Sequence, residues 1–479
     1  MTASKTAGTG ERPHFGWLSI GLYGLGSISN SVKSSGLATF LMIFYNQVMG
    51  LPASLVGFGI GFALIVDAFI DPAVGQLSDN TRSRWGRRHP FMYAAAAPVA
   101  ICFFLIWNPP TGLEHMQLFA YMMACLLTIR LFDTFFELPS SALMPELVEG
   151  YDRRTVVVAV RVLMSTLGSM GMTVFAYQVA MREQPGGGGG VLAKDGYLSY
   201  SIAGALVILT TILVSSVATH RFIPWLRQAG AKSAARTDHL KQVLEVLRNR
   251  AFLTIMGSGA LVYLVAGITQ GLAIYISLFF WELTQAQLAG LAATTAAASL
   301  TGVIIAPQLT KRIGKKEAAL IGYFVGAMGE LTPFILRLLG LAPDNGDPAL
   351  FSLLAAGRFV NFVSWSVTGI CISAMIADVV EDNAVRTGRR SEGFLFAADS
   401  LFKKIASAGG PALAGLVLSA AHFPIGARKG EVSPEVLQTL ITLYLPMLVA
   451  IYTVSMSIMA FYNINRHSHA ANLEALREA

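Results

Sequence analysis

Long apolar stretches alternate with short polar segments along the whole chain, and this alternation predicts the fold. A membrane-spanning helix needs about 20 predominantly apolar residues. Twelve stretches meet that length, over residues 17–45, 53–77, 90–108, 116–143, 156–181, 198–219, 252–280, 286–309, 317–340, 349–377, 393–421 and 437–463. The pattern therefore predicts an all-α membrane protein with twelve transmembrane helices.

The composition supports this interpretation and excludes other classes of protein. Of the 479 residues, 54% are hydrophobic and 13% are charged, and the mean hydropathy is +0.57. A soluble domain carries about 25% charged residues, so an ordinary soluble enzyme is excluded. The three cysteines lie within apolar stretches without metal-ligand spacing, and we expect neither a disulfide framework nor a resident cofactor.

Basic residues are distributed unequally between the two sets of alternate loops. Of the 35 Lys and Arg residues, 24 lie in the tails and loops of one side, and seven lie within or at the ends of spans. The other side holds four, namely Arg182, Lys194, Arg428 and Lys429. Cytoplasmic loops carry the basic excess, so we expect both termini in the cytoplasm and the chain in the cytoplasmic (inner) membrane. The net charge of +7 thus reflects topology and predicts no nucleic-acid partner.

The longest internal polar stretch divides the twelve spans six and six. It covers residues 220–251 and separates a predicted N-terminal six-helix bundle, 17–219, from a C-terminal one, 252–463. Residues 1–16 and 464–479 are predicted cytoplasmic tails. Within the linker, apolar residues recur at helical spacing at Leu240, Val243, Leu244 and Leu247. This spacing predicts either an amphipathic helix at the membrane interface or a solvated linker helix.

A short motif recurs at corresponding places in the two halves. Arg84-Trp-Gly-Arg-Arg88 follows span two, and Arg312-Ile-Gly-Lys-Lys316 follows span eight. Repeated six-helix halves are typical of secondary transporters, which bind their substrate near the midplane between the halves. The sequence therefore favours a transporter.

Ionisable residues in the middle of spans mark candidate functional positions, because each costs about 2.5–3.5 kcal/mol there. Asp67 and Asp71 lie one helical turn apart in span two, and two like charges at this spacing repel unless a cation or proton lies between them. Together with the hydroxyl of Thr134 in span four, they form a set of oxygen ligands suited to Na⁺ or a proton. Single charges such as Glu330 and Arg358 are more simply explained by ion pairs that hold helices together.

Three motifs follow one another in chain order and carry a family resemblance. The first is Asp67-Ala-Phe-Ile-Asp71-Pro72, which continues into Asp79 to Arg88. The second is Glu137-Leu-Pro139, which continues to Arg161. The third is Ala377-Asp378, which continues through Arg386 to Gly393 and Lys404. Nearly the whole chain resembles the glycoside-pentoside-hexuronide:cation symporters of the major facilitator superfamily. The resemblance implies the major facilitator fold and a transporter that is not an enzyme.

The resemblance also implies roles for particular residues. The cation-binding residues would be Asp67, Asp71 and Thr134. The substrate-binding residues would be Glu137, Arg161 and Lys404, and we add Asp133, which lies on the same face of span four. The residues of a conformational latch would be Asp79, Arg84, Arg87 and Arg88, although this basic cluster also fits a role in fixing topology alone.

Two positions depart from the family pattern. Ile70 stands where the family has a cation-site asparagine, and Ser29-Asn30-Ser31 stands where it has a sugar-binding acid. The first span, and Lys404-Ile-Ala-Ser407, also resemble the sodium-dependent lysophosphatidylcholine symporters. Na⁺ and H⁺ both remain candidates for the coupling ion, and a lysophospholipid remains an alternative to a sugar.

The expected function is cation-coupled import of a sugar or glycoside by a monomer surrounded by membrane lipid. A remote alternative is an intramembrane prenyltransferase, because Asp67 to Asp71 and Asp378 to Asp382 are two DxxxD motifs. That chemistry requires both motifs at the water boundary on one side, and Asp67 is predicted at mid-span.

Overall fold

The computed structural model describes residues 14–148, 151–183, 189–226, 249–387 and 392–463. Twelve long helices fill these ranges: α1 Trp17–Ile43, α2 Ala53–Asn80, α3 His89–Trp107, α4 His115–Leu147, α5 Tyr151–Phe175, α6 Lys194–His220, α7 Arg250–Tyr275, α8 Gln285–Ile313, α9 Lys315–Leu338, α10 Pro348–Thr387, α11 Glu392–Ala420 and α12 Pro434–Ala460. Each corresponds to one predicted span, so the all-α, twelve-helix prediction is confirmed. The predicted amphipathic helix at 240–247 lies outside the described residues.

Eleven of the described helices are both long and apolar enough to cross a membrane. Helix α1 has the length, with 27 residues, but its many serines and glycines and one lysine, Lys33, lower its hydropathy. These polar residues are compatible with a spanning helix where they face protein rather than lipid.

Local sequence signals mark where helices begin and end. Thr284 caps α8 through a reciprocal pair of hydrogen bonds with Gln287. Gly314 separates α8 from α9 with φ of 101°, a backbone conformation that favours glycine. Helices α1 and α7 both continue into a short π-helical turn, Phe44–Val48 and Ile276–Phe280. The two turns occupy corresponding places in the two halves, in agreement with the internal repeat.

Two helices extend well beyond the apolar stretches that predicted them. Helix α4 continues to Leu147, and α10 runs for 40 residues to Thr387. Hydropathy marks the part of a helix that contacts lipid, whereas backbone hydrogen bonds carry the helix onward into polar sequence. As a result Glu146, Asp378 and Asp382 are helical residues.

The chain forms two compact units. One comprises Met1–Leu51 and Ile65–Ala234, and the other comprises Pro52–Leu64 and Ala235–Ala479. In the first unit α1 packs mainly against α5 and α6, and α3 packs against α4 and α6. In the second unit α10 packs against α8 and α9, and α7 packs against α11 and α12.

Helix α2 is divided between the units, and its first part packs in the second unit against α11. A Cβ atom on Gly57 would lie 2.2 Å from the carbonyl oxygen of Pro411, and one on Gly61 would lie 2.4 Å from that of Ala408. Such backbone-to-backbone contact is the close approach that small residues permit between membrane helices. A side chain at either position would force the helices apart.

Candidate functional site

One face of α4 brings together the intramembrane charges of the first unit. Arg130, Asp133, Thr134 and Glu137 follow one another at helical spacing and therefore share this face. Helices α1, α2 and α5 each direct a polar side chain towards it. The α4 face is accordingly the centre of the candidate site.

The three predicted cation-binding residues lie together. The Thr134 Oγ1 atom is 3.0 Å from Asp71 Oδ1 and 3.4 Å from Asp67 Oδ1, and it is also 3.1 Å from the carbonyl oxygen of Arg130. A hydroxyl has one proton to donate and two lone pairs. When that proton goes to the Arg130 carbonyl, the two lone pairs leave the hydroxyl available as an oxygen donor beside the two carboxylates.

The chemistry of this group suits a monovalent cation or a proton. Asp67 is buried, with 7% of its surface exposed. Hard oxygen donors are the ligands that alkali and alkaline-earth ions prefer. Within the described ranges no cluster of three or more His, Cys, Asp or Glu side chains is arranged for a metal ion.

Glu137 and Arg161 form an ion pair between α4 and α5. Arg161 Nη2 lies 2.8 Å from Glu137 Oε1. The guanidinium also donates to Ser27 Oγ at 3.1 Å, to Ser141 Oγ at 3.1 Å and to the Tyr23 hydroxyl at 3.3 Å. The other carboxylate oxygen, Glu137 Oε2, is buried without a hydrogen-bond partner among the described residues. A buried acceptor of this kind is a suitable contact for a hydroxyl group of a substrate.

Asp133 has a partner that the sequence does not predict. Lys33 of α1 forms an ion pair with Asp133, and only 1% of the lysine side chain is exposed. No periodicity distinguishes a lone lysine in an apolar stretch, and its partner lies a hundred residues further along the chain. The tertiary structure alone reveals this pair.

Lys404 belongs to the second unit, whereas Glu137 and Arg161 belong to the first. Its neighbour on α11, Lys403, forms an ion pair of 2.6 Å with Asp399 and lies 5.4 Å from the centre of the Tyr263 ring. The convergence of Lys404 with Glu137 and Arg161 on one substrate therefore stays a prediction.

The predicted latch forms a cluster at the end of α2, with one residue that was not predicted. Arg87 and Arg88 both form ion pairs with Glu146 of α4, the second at 3.0 Å. Asp79 lies farther away, at 3.6 Å from each arginine. Burial lowers the pKa of the Arg88 guanidinium from its ordinary value, and the charge of Glu146 opposes this change. Glu146 is thus the principal counter-charge of the cluster.

Arg84 makes a different contact from the other two arginines. Its guanidinium lies 5.3 Å from the centre of the Trp85 ring, a cation–π arrangement. The structure thus brings Arg87 and Arg88 to Asp79, and gives Arg84 an aromatic neighbour. The proposed latch function of all four residues stays a prediction.

The second unit contains a corresponding ion pair. Lys315, from the repeated basic motif, lies 2.6 Å from Asp378 of α10. Glu146 ends the segment Ser141-Ala-Leu-Met-Pro-Glu146, and Asp378 ends the similar segment Ser373-Ala-Met-Ile-Ala-Asp378. Comparing these segments would have identified Glu146 from sequence. The remaining acid of the DxxxD motif, Asp382, accepts a hydrogen bond of 3.4 Å from Asn249.

Comparisons with known proteins identify the family to which the chain belongs. A family model described as "MFS/sugar transport protein" matches residues 22–466. An uncharacterised symporter of Synechocystis sp. is 27% identical, over 86% of this chain and 87% of its own length. The isoprimeverose transporter of Lactiplantibacillus pentosus is 24% identical, over 84% of this chain and 80% of its own length.

A solved structure shares the fold. The inward-open xylose transporter of E. coli superposes with a TM-score of 0.61 at 14% identity, covering 96% of this chain and 98% of that one. The family match extends over nearly the whole chain. Because the members of this family are transporters and not enzymes, the comparisons give no support for a prenyltransferase. The chain is a multi-pass membrane transporter of a small molecule and belongs to the sugar-transport branch of the major facilitator superfamily, of the glycoside-pentoside-hexuronide symporter type.

Proposed function

We propose that the protein is a cation-coupled symporter that imports a sugar or glycoside by alternating access. It would act as a monomer in the bacterial cytoplasmic membrane, with both termini in the cytoplasm and lipid around its helices. The observation that carries the proposal is the single hydroxyl of Thr134 within 3.4 Å of two carboxylates, Asp67 and Asp71.

The coupling step follows from the charges at this hydroxyl. Two carboxylates that share one neighbouring oxygen repel each other when both are ionised. A bound Na⁺ or proton removes this repulsion and draws α2 and α4 together through Thr134. Because Glu137 lies one turn from Asp133 and Thr134 on the same face of α4, cation binding would order the substrate contacts at the same time.

The substrate contacts favour a hydroxylated solute. Glu137 has a buried oxygen available to accept a hydrogen bond, and Arg161 presents its guanidinium beside it. Hydrogen bonds from sugar hydroxyls to charged groups are stronger than those between neutral groups. Because Arg161 and Glu137 neutralise each other, a neutral sugar or glycoside requires no further counter-charge. The related isoprimeverose transporter indicates a glycoside as the first substrate to test.

Uptake by purified protein in proteoliposomes tests the proposal. Isoprimeverose, xylose, lactose and a lysophosphatidylcholine would be offered in turn, with an inward Na⁺ gradient, an inward proton gradient or neither. We expect accumulation of at least one sugar above its equilibrium level under one of the two gradients. Accumulation of the lysophospholipid alone would establish the alternative substrate class, and uptake that ignores both gradients would refute cation coupling.

A further inference from the structure

A buried lysine in the first unit has no role in the function described so far. Lys33 is 1% exposed, and its ion pair with Asp133 connects α1 to α4. A charged group within a membrane span is costly, and replacement of a buried ion pair by apolar residues is often neutral or stabilising. Stability alone therefore gives little reason for this pair.

The two helices also have a second connection. The Tyr23 hydroxyl of α1 donates a hydrogen bond of 2.7 Å to the carbonyl oxygen of Ser140 in α4. The Lys33–Asp133 pair is thus not required as the sole tie between α1 and α4. Its distinctive property is the two opposite charges that it places within the first unit.

The ion pair lies close to the candidate cation site. Asp133 immediately precedes Thr134, so the Cα atoms of these residues are about 3.8 Å apart. Thr134 in turn contacts Asp67 and Asp71. At a separation of about 10 Å in a protein interior, one unit charge changes the affinity for a monovalent cation by roughly tenfold.

We propose that Lys33 and Asp133 set the affinity of the coupling-cation site through their opposite charges. The ammonium group of Lys33 weakens cation binding, and the carboxylate of Asp133 strengthens it. Their balance keeps the site able both to bind the cation and to release it during each transport cycle. This inference rests on the proposed cation coupling and assigns Asp133 to the control of that coupling.

Three variants separate the two charges: Lys33→Met, Asp133→Asn and the double variant. The measured quantity is the concentration of Na⁺, or separately of H⁺, that gives half-maximal sugar uptake in proteoliposomes. Lys33→Met should lower this concentration about tenfold and Asp133→Asn should raise it about tenfold. The double variant, with no change in net charge, should return to within about threefold of the wild-type value.

The control is Lys33→Arg, which keeps the charge and should keep the half-maximal concentration. If Lys33→Met does not fold, the charge of Lys33 can still be tested by comparing Asp133→Asn with the double variant, which differ at this residue alone. The double variant should then have the lower half-maximal cation concentration of the two. Shifts of both single variants in the same direction, or values all within threefold of wild type, would overturn the inference. A wild-type protein without any cation dependence would instead refute the proposed function.

Discussion

Replacing Glu146 by glutamine tests which acid holds the charged cluster at the end of α2. The substitution keeps the size of the side chain and removes its charge. Arg87 and Arg88 would then keep the more distant Asp79, at 3.6 Å from each, and Arg88 would keep its hydrogen bond to the Ala142 carbonyl oxygen. Both arginines are largely buried, with 16% and 8% of their side chains exposed, and Glu146 is 9% exposed.

The burial of these groups determines the magnitude expected. Removing one partner of a buried ion pair costs about 3–5 kcal/mol, because the remaining charge stays out of water. Asp79 compensates in part, so we expect Glu146→Gln to lower the free energy of unfolding by about 3 kcal/mol. Asp79 itself is 59% exposed, and pairs of this kind contribute about 0–1 kcal/mol. Asp79→Asn should therefore have a small effect, although the family resemblance emphasises this residue.

Thermal unfolding in one detergent, followed by intrinsic fluorescence at a fixed scan rate, compares the two variants. A fixed rate is needed because large membrane proteins often unfold irreversibly. Glu146→Gln should lower the apparent midpoint clearly, and Asp79→Asn should stay near the wild-type value. An equal or larger decrease for Asp79→Asn would refute the assignment of Glu146 as the principal counter-charge.

Two further pairs of substitutions test other parts of the structure. Gly57→Ala should lower the unfolding midpoint, because its methyl group would lie 2.2 Å from the Pro411 carbonyl oxygen. The control Gly171→Ala adds a methyl group with nothing within 4 Å and should keep the wild-type midpoint. Equal midpoints for the two variants would argue against the close packing of α2 on α11. Arg161→Met should raise the half-saturating sugar concentration at least about tenfold, and Arg161→Lys should do so less, since lysine keeps the charge but loses the planar set of donors. Unchanged half-saturation in Arg161→Met would remove this residue from the substrate site.

The fold was predictable because hydropathy and helix formation are strongly linked in a membrane. Every spanning segment must satisfy its backbone hydrogen bonds internally, so a long apolar stretch is necessarily a helix. Hydropathy does not predict where a helix ends outside the lipid, and α10 continues to Thr387 through polar residues. The hydropathy signal is weakest at α1, because its serines, glycines and Lys33 lower its mean hydropathy.

The candidate site was predictable only where the residues lie on one helix or share a family motif. Helical spacing placed Asp67 beside Asp71. The need for a further oxygen ligand, together with the resemblance, added Thr134, which the structure brings to both carboxylates. Spacing cannot show which arginine of a basic run faces an acid, and the structure distinguishes Arg88 from Arg84 in this respect. A pair between distant helices leaves no local pattern at all, and for this reason Lys33 was missed.

Gradient-driven sugar accumulation by Asp67→Asn and Asp71→Asn tests the central claim most directly. Both variants, and Asp344→Asn in an exposed loop as a control of equal charge, would be reconstituted at matched protein levels. We expect both intramembrane variants to lose accumulation above equilibrium. Both should unfold at or above the wild-type midpoint, because removing one charge relieves the repulsion between the carboxylates. The control should accumulate sugar normally. Full accumulation by both Asp67→Asn and Asp71→Asn would contradict cation coupling through this pair.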